Sequence, residues 1–171
     1  MPKNIKPLAL GLTVVSGIAR LLPHPPNFTP VGSMSLFAGA RLPGWVAYLL
    51  PLLVMIVTDP LVGGYSRASL FIYASFMINV WIGRRLQCSE SPIRIGAAAF
   101  ICSLQFFLVS NLATFLFQYP RTVAGFVDCY TLALPFFGRT LAGDLTFTAL
   151  LFGLHAWLSR TVARSERVVP A

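Results

Sequence analysis

The sequence predicts an all-α membrane protein, a bundle of six transmembrane helices with both chain termini in the cytoplasm. Hydrophobic residues make up 56% of the 171 residues, charged residues make up 11%, and the mean hydropathy is +0.74. Soluble domains carry about 25% charged residues, so most of this surface must face lipid. At about 20 residues for each crossing, six spans and short loops fill one domain over 1–171.

Prolines and glycines separate the apolar runs. The segment PHPPNFTP (23–30) contains four prolines, which lack a backbone donor and cannot continue a helix. Pro43-Gly44 ends the next run, and Pro51 predicts a kink in the run that follows. The predicted helices are about 7–22, 31–42, 44–58, 67–83, 94–117 and 139–159.

The second predicted helix is short, and this leaves two topologies open. Its residues rise only about 18 Å, against about 30 Å of hydrocarbon. A rival interpretation fuses 31–58 into one helix and gives five spans. That interpretation buries Arg41 inside a span, at a cost of roughly 2.5–3.5 kcal/mol. It also places five of the remaining basic residues on one side of the membrane and seven on the other.

The distribution of basic residues favours six spans. The positive-inside rule expects more Lys and Arg on the cytoplasmic side, and six spans place nine there against four outside. The outer four are Arg20, Arg67, Arg121 and Arg139. The cytoplasmic nine are Lys3, Lys6, Arg41, Arg84, Arg85, Arg94, Arg160, Arg164 and Arg167.

Several function classes lack their signatures. The only lysines are Lys3 and Lys6, so no GxxxxGK phosphate loop exists, and HExxH and GxSxG are absent. The histidines, His24 and His155, are predicted on opposite sides of the membrane. We therefore expect no enzyme activity, no metal and no cofactor. The net charge of +8 fits contacts with anionic lipid headgroups better than nucleic-acid binding.

The outer loops 23–30, 59–66 and 118–138 carry the unusual chemistry. They combine Pro, Gly, aromatics and single polar groups, and small-molecule sites form between bundle helices and beneath such loops. The segment 118–138 is too apolar for a free loop. It is interpreted as a short interfacial helix held by Tyr119, Phe126 and Tyr130, as a lid over a ligand, or as both.

Three polar residues are predicted at or near membrane depth. Asp59 is either functional or a boundary carboxylate that lies in water, caps helix 4 or pairs with Arg67. Asp144 is expected to pair with Arg139 or to contact Asn111. Asn111 itself either joins helices through a hydrogen bond or contacts a ligand.

One stretch carries a family resemblance. ARLLPHPPNFTPVGSMSLFAGA (19–40) resembles the first-loop region of the substrate-binding subunits, or S components, of energy-coupling factor transporters. The chain is also similar, over about 8–153, to an uncharacterised group of small bacterial membrane proteins labelled as putative transport proteins. The further motifs shared with that group are Asp59, Tyr73, FFLVSN (106–111), Tyr119-Pro120 and CYTLALPFF (129–137).

The resemblance implies a transport role. S components have six helices with both ends cytoplasmic and bind a vitamin-like micronutrient beneath the loops after helices 1, 3 and 5. They lie in the bacterial plasma membrane and work with a membrane coupling subunit and two ATPases. A non-transporting scaffold subunit is the alternative. The residues expected at the substrate site are His24, Asn27, Asp59, Tyr65, Arg67, Asn111, Tyr119, Arg121, Asp128 and Tyr130.

Two departures from the family pattern matter. The small-residue docking face of helix 1 is represented here by Ala9, Thr13 and Gly17, which serve either partner docking or packing within the bundle. The chain begins Met-Pro-Lys and lacks the Met-His of the nickel and cobalt type. A cobalamin type remains an alternative, for which Cys129 is the one outer thiolate.

Overall fold

The computed structural model describes residues 5–87 and 89–168, and this part of the chain forms α helices and no β strand. The prediction of an all-α chain with six helices is confirmed over these residues. Cys88 lies outside them. The helices are α1 (Ile5–Ala19), α2 (Val31–Arg41), α3 (Val46–Val62), α4 (Ser69–Arg84), α5 (Pro92–Gln118) and α6 (Val123–Val168).

The break between α2 and α3 excludes a single helix over 31–58. Leu42 is extended, with ψ of 150°, and Gly44 has φ of +45°, a left-handed conformation that favours glycine. The fusion of 31–58 into one helix is therefore wrong. Local signals also explain the start of α5, where Pro92 occupies the first turn and Ser91 Oγ accepts from the backbone N–H of Arg94.

Most of the segment 118–138 is helical, as one interpretation expected, but it is neither a loop nor a separate short helix. Residues 123–138 are helical and continuous with the last helix, so α6 has 46 residues and a length of about 69 Å. Pro135 lies inside it. This segment packs antiparallel to α5 through aromatic pairs, among them Phe115 with Phe126 and Phe107 with Tyr130, and that packing fixes it as a helix.

Helix α2 occupies the centre of the bundle. Every residue from 31 to 40 is buried, and α1, α3, α4, α5 and α6 all contact this helix. Small residues allow the close approach. A Cβ on Gly39 would clash with the carbonyl of Val80, and a Cβ on Gly83 would clash with the carbonyl of Leu36. The backbones of α2 and α4 therefore touch where they cross.

The bundle has two ends, which we name by a residue at each. At the Asp59 end, the α1–α2 and α3–α4 connections meet, and Arg20 of α1's C-terminal turn reaches Asp59 of α3. At the Arg41 end, the α2–α3 and α4–α5 connections meet the α6 segment 152–160, where Arg41 lies over Phe152.

Two of the described helices are long and apolar enough to cross a membrane, Pro92–Gln118 and Val123–Val162. Pro7–Ala19 and Val46–Val62 are apolar but shorter. Helix α2 has 11 residues and a rise of about 16 Å, roughly half the hydrocarbon thickness of a bilayer. It is surrounded by protein on all sides.

Candidate functional site

A cavity of about 880 Å³ opens at the Arg41 end. It lies between the last turn of α2, the α4–α5 connection, the first turns of α5 and the C-terminal half of α6. None of the ten residues expected at the substrate site is among the residues that line it. The cavity is lined by Ala40, Arg41, Leu42, Pro43, Gln87, Glu90, Pro92, Ile95, Gly96, Leu145, Thr148, Ala149, Phe152, Gly153, His155, Ala156, Ser159 and Arg160.

The walls of the cavity are mostly apolar and are held by the core. Phe152 is buried and packs edge-to-face on Phe37 of α2, with ring centroids 5.2 Å apart. Leu42 and Ile95 belong to the same buried cluster. Apolar walls with a few polar groups are typical of small-molecule sites.

Two polar side-chain atoms of the cavity wall are buried and lack a hydrogen-bond partner in the part of the chain that the structure describes. His155 is 7% exposed, and its Nε2 makes no hydrogen bond. Ser159, one helical turn further along α6, has a buried Oγ that also lacks one. A third such atom, Nδ2 of Asn79, lies away from the cavity between α4 and α5.

Charged groups of both signs surround the mouth of the cavity. Arg41 donates from Nη2 to the carbonyl of Ser89 at 2.9 Å, and its guanidinium lies 5.0 Å from the centre of the Phe152 ring. Arg160 and Glu90 are exposed on the cavity wall. The mouth therefore carries two guanidinium groups and one carboxylate, a net positive charge.

A buried polar cluster lies at the inner limit of the cavity, behind Thr148. Thr148 donates to Ser33 Oγ at 3.1 Å, and Ser33 donates to the backbone carbonyl of Asp144 at 2.8 Å. Ser103 donates to the Asp144 carboxylate at 2.6 Å. The carboxylate also touches Gly32 in the first turn of α2, where the positive end of the helix dipole stabilises a negative charge.

The expected partners of Asp144 are therefore wrong. Arg139 is exposed on α6, and the side-chain nitrogen of Asn111 donates to the carbonyl of Phe107 at 2.7 Å. Asp144 contacts Ser103 of α5 and the N-terminus of α2 instead. No local pattern predicts this arrangement, since Ser33 and Asp144 are 111 positions apart.

At the Asp59 end, Asp59 is the centre of an internal network. Arg20 Nη1 donates to Asp59 Oδ1 at 2.8 Å, with both side chains 11% exposed, and lies 2.9 Å from Thr58 Oγ1. The hydroxyl of Tyr73 donates to the second carboxylate oxygen. The alternatives of capping α4 or pairing with Arg67 are wrong, because α4 has no side-chain cap and Arg67 is exposed.

The remaining expected substrate residues are spread over the Asp59 end and α6. Tyr65 donates to the carbonyl of Ile56 at 2.6 Å, and Tyr130 donates to that of Leu108 at 2.8 Å. Asn27 has φ of +64°, a left-handed conformation that asparagine tolerates. Exposed or half-buried positions are occupied by His24, Arg67, Tyr119, Arg121 and Asp128.

The small residues of α1 face the inside of the bundle. Ala9 and Thr13 are fully buried, and a Cβ on Gly17 would clash with Val54 of α3. Their spacing is therefore explained by packing against α2 and α3. Cys129 is also buried, and its thiol lies 3.6 Å from the carbonyl of Asn111.

Comparison with known proteins gives a family but no activity. The model of a family of unknown function, DUF6580, matches residues 2–167, and the chain belongs to that family. None of the curated proteins matches the chain. None of the solved structures matches it.

Proposed function

We propose that this member of the DUF6580 family is a membrane-embedded substrate-binding subunit that takes up a vitamin-like micronutrient, driven by separate coupling and ATPase subunits. The observation that carries the proposal is the cavity of about 880 Å³ at the Arg41 end. Pockets of roughly 300–1,000 Å³ with apolar walls and a few polar groups suit small organic molecules.

The charge distribution supports an orientation for this subunit in the bacterial plasma membrane. Arg84, Arg85 and Arg94 flank the α4–α5 connection at the Arg41 end, and Arg41 and Arg160 line the cavity there. By the positive-inside rule this end faces the cytoplasm. The bundle then spans the membrane with the Asp59 end outside, where anionic lipid headgroups meet fewer basic residues.

The contrast between the two ends supports transport in one direction. At the Asp59 end, the Arg20–Asp59 ion pair and Tyr73 join α1, α3 and α4. At the Arg41 end, the cavity is open. In our proposal this is the state from which substrate leaves towards the cytoplasm, and the outer residues around Asp59 receive substrate when that end opens.

The test is purification of the intact protein in mild detergent, followed by mass spectrometry of the small molecule that remains bound. Gly153 lines the cavity, and a Cβ added there meets no atom within 4 Å, so Gly153→Phe should fill the cavity without displacing backbone. We expect this variant to lose the bound molecule. Gly138→Phe is the matched control, because Gly138 has equal space on the same helix but lies away from the cavity.

Two results would contradict the proposal. One is a folded wild-type protein that carries no small molecule and binds none from a vitamin panel. The other is equal retention of a bound molecule by Gly153→Phe and the wild type. A stable complex with another membrane protein and no ligand would instead indicate a scaffold.

A further inference from the structure

We infer that the cavity binds an amphipathic anion, a molecule that carries a carboxylate or similar oxyanion on an apolar body, with the oxyanion held by His155 and Ser159. This inference rests on the proposed function and names the class of substrate for the same cavity. Three independent features support it: two buried polar atoms without partners, the sign of the charge around them, and the apolar walls.

The two unpartnered atoms indicate a ligand because burial without a hydrogen bond is unfavourable. A buried donor or acceptor that lacks a partner loses its bonds to water and gains nothing in return. His155 Nε2 and Ser159 Oγ are in this position, and they lie one helical turn apart on the face of α6 that lines the cavity. A ligand in the cavity is the group best placed to pair with both.

The surroundings favour a negatively charged group. Arg41 and Arg160 bring two positive charges to the cavity wall, and Glu90 brings one negative charge. The first turn of α5 also borders the cavity through Pro92, and the N-terminal end of a helix is positive. An oxyanion accepts hydrogen bonds from an imidazole N–H and a hydroxyl, and such charge-assisted bonds are stronger than neutral ones.

The rest of the cavity suits an apolar body. Phe152, Leu145 and Ile95 line it together with alanine and glycine positions of α6. A molecule that is charged along its whole length would place charges without partners against these apolar walls, which is unfavourable. The combination therefore selects an amphipath, which is either a soluble carboxylic acid or the headgroup region of an anionic lipid.

A matched pair of probes tests the charge preference. We use 2-naphthoate and its neutral amide, 2-naphthamide, with the full-length protein in a nonionic detergent, and measure binding by isothermal titration calorimetry. We expect the carboxylate to bind at least tenfold more tightly than the amide. His155→Phe should bind the carboxylate at least tenfold more weakly than the wild type, and Ser159→Ala several-fold more weakly. Ser110→Ala is the matched control, since Ser110 lies on α5 away from the cavity.

A conservative variant and a lipid comparison complete the experiment. His155→Gln keeps a side-chain donor and should recover part of the affinity that His155→Phe loses, provided that gel filtration shows both to be folded. In nanodiscs, we compare phosphatidylglycerol with phosphatidylcholine as competitors of naphthoate binding. If only phosphatidylglycerol competes, the anion comes from a lipid headgroup. Without such competition the source is a soluble acid.

The inference is overturned if the amide binds as tightly as the carboxylate, if neither probe binds, or if His155→Phe binds the carboxylate as the wild type does. The proposed function fails separately. It survives any of these results as long as Gly153→Phe loses a copurified molecule that Gly138→Phe retains.

Discussion

At the Asp59 end, the side chains of Arg20, Asp59 and Tyr73 bond to one another, whereas at the Arg41 end His155 and Ser159 line a cavity with an unpartnered nitrogen and oxygen. Both groups are polar, and both belong to a highly apolar chain. The first group contributes to the stability of the fold because each member meets a partner. The second reduces stability because its buried atoms lack partners in the described residues, and our inference supplies those partners through a ligand.

The largest expected effect comes from removing one partner of the Asp59 network. Arg20→Ala leaves the buried Asp59 carboxylate without its ion-pair partner, and breaking a buried ion pair in this way costs roughly 3–5 kcal/mol. We expect that loss in the free energy of unfolding, measured by denaturant titration in detergent. Arg67→Ala removes an exposed arginine of the same end and should change the free energy by less than about 0.5 kcal/mol.

The same network allows a second measurement. The double variant Arg20→Leu with Asp59→Leu removes both charges at once, and apolar replacements of a buried pair are often neutral or stabilising. It should therefore be more stable than Arg20→Ala. If Arg20→Ala is as stable as the wild type, the ion pair makes no contribution to the free energy of unfolding, and the comparison between the two ends fails.

A smaller loss is expected from the Tyr73 hydroxyl. Tyr73→Phe removes a hydrogen bond to the charged Asp59, and such bonds contribute about 1.5–3 kcal/mol. The measurement is again the free energy of unfolding in detergent. Tyr65→Phe is the control, because Tyr65 is 59% exposed and donates only to a backbone carbonyl, so its loss should be clearly smaller.

Two glycines contrast the packed centre with the open cavity. Gly39→Ala forces a methyl group against the Val80 carbonyl, and overpacking of this kind costs roughly 1–3 kcal/mol. Gly153→Ala places its methyl group in open space and should stabilise α6 by up to about 1 kcal/mol. Thermal unfolding of the two variants side by side tests the difference in sign. Equal effects would mean that the cavity is closed in solution.

The smallest expected change in stability belongs to the cavity itself. Ser159→Ala removes a hydroxyl that has no partner in the described structure, so the free energy of unfolding without ligand should stay within about 0.5 kcal/mol of the wild type or rise. Ligand-free protein, prepared by extensive detergent exchange, is the sample required. A loss above 1 kcal/mol would show that Ser159 supports the fold and not a ligand.

Much of the local structure could be predicted from the chain alone. The ends of α2 and the start of α5 follow from Pro30, Pro43-Gly44 and Ser91-Pro92, since proline and glycine act on the backbone of their immediate neighbours. Local reasoning was less successful at 118–138. The segment was expected to be a short interfacial helix or a lid, separate from the last helix, but Pro135 lies inside one continuous helix whose neighbours pack on α5, and tertiary packing outweighed the local preference.

The candidate site was less predictable. Asp59 was expected to be important, but its partner Arg20 lies 39 positions away, and no spacing rule connects them. For His155 the sequence predicted only a position on the opposite side of the membrane from His24, and it did not predict the cavity that His155 lines. The i, i+4 spacing of His155 and Ser159 places both on one face of α6. That spacing indicates a site only once α2 and α5 are known to form the opposite wall of the cavity.

The sequence by itself determined that the chain forms apolar helices, where most of them begin and end, and how positive charge is distributed between the two ends. These properties depend on composition and on near neighbours. Only the tertiary structure decided that α2 lies at the centre, that Asp144 meets the start of that helix, and that the space left over collects at the Arg41 end. Those properties depend on which helix faces come together, because packing and charge pairing join residues that are distant in the chain.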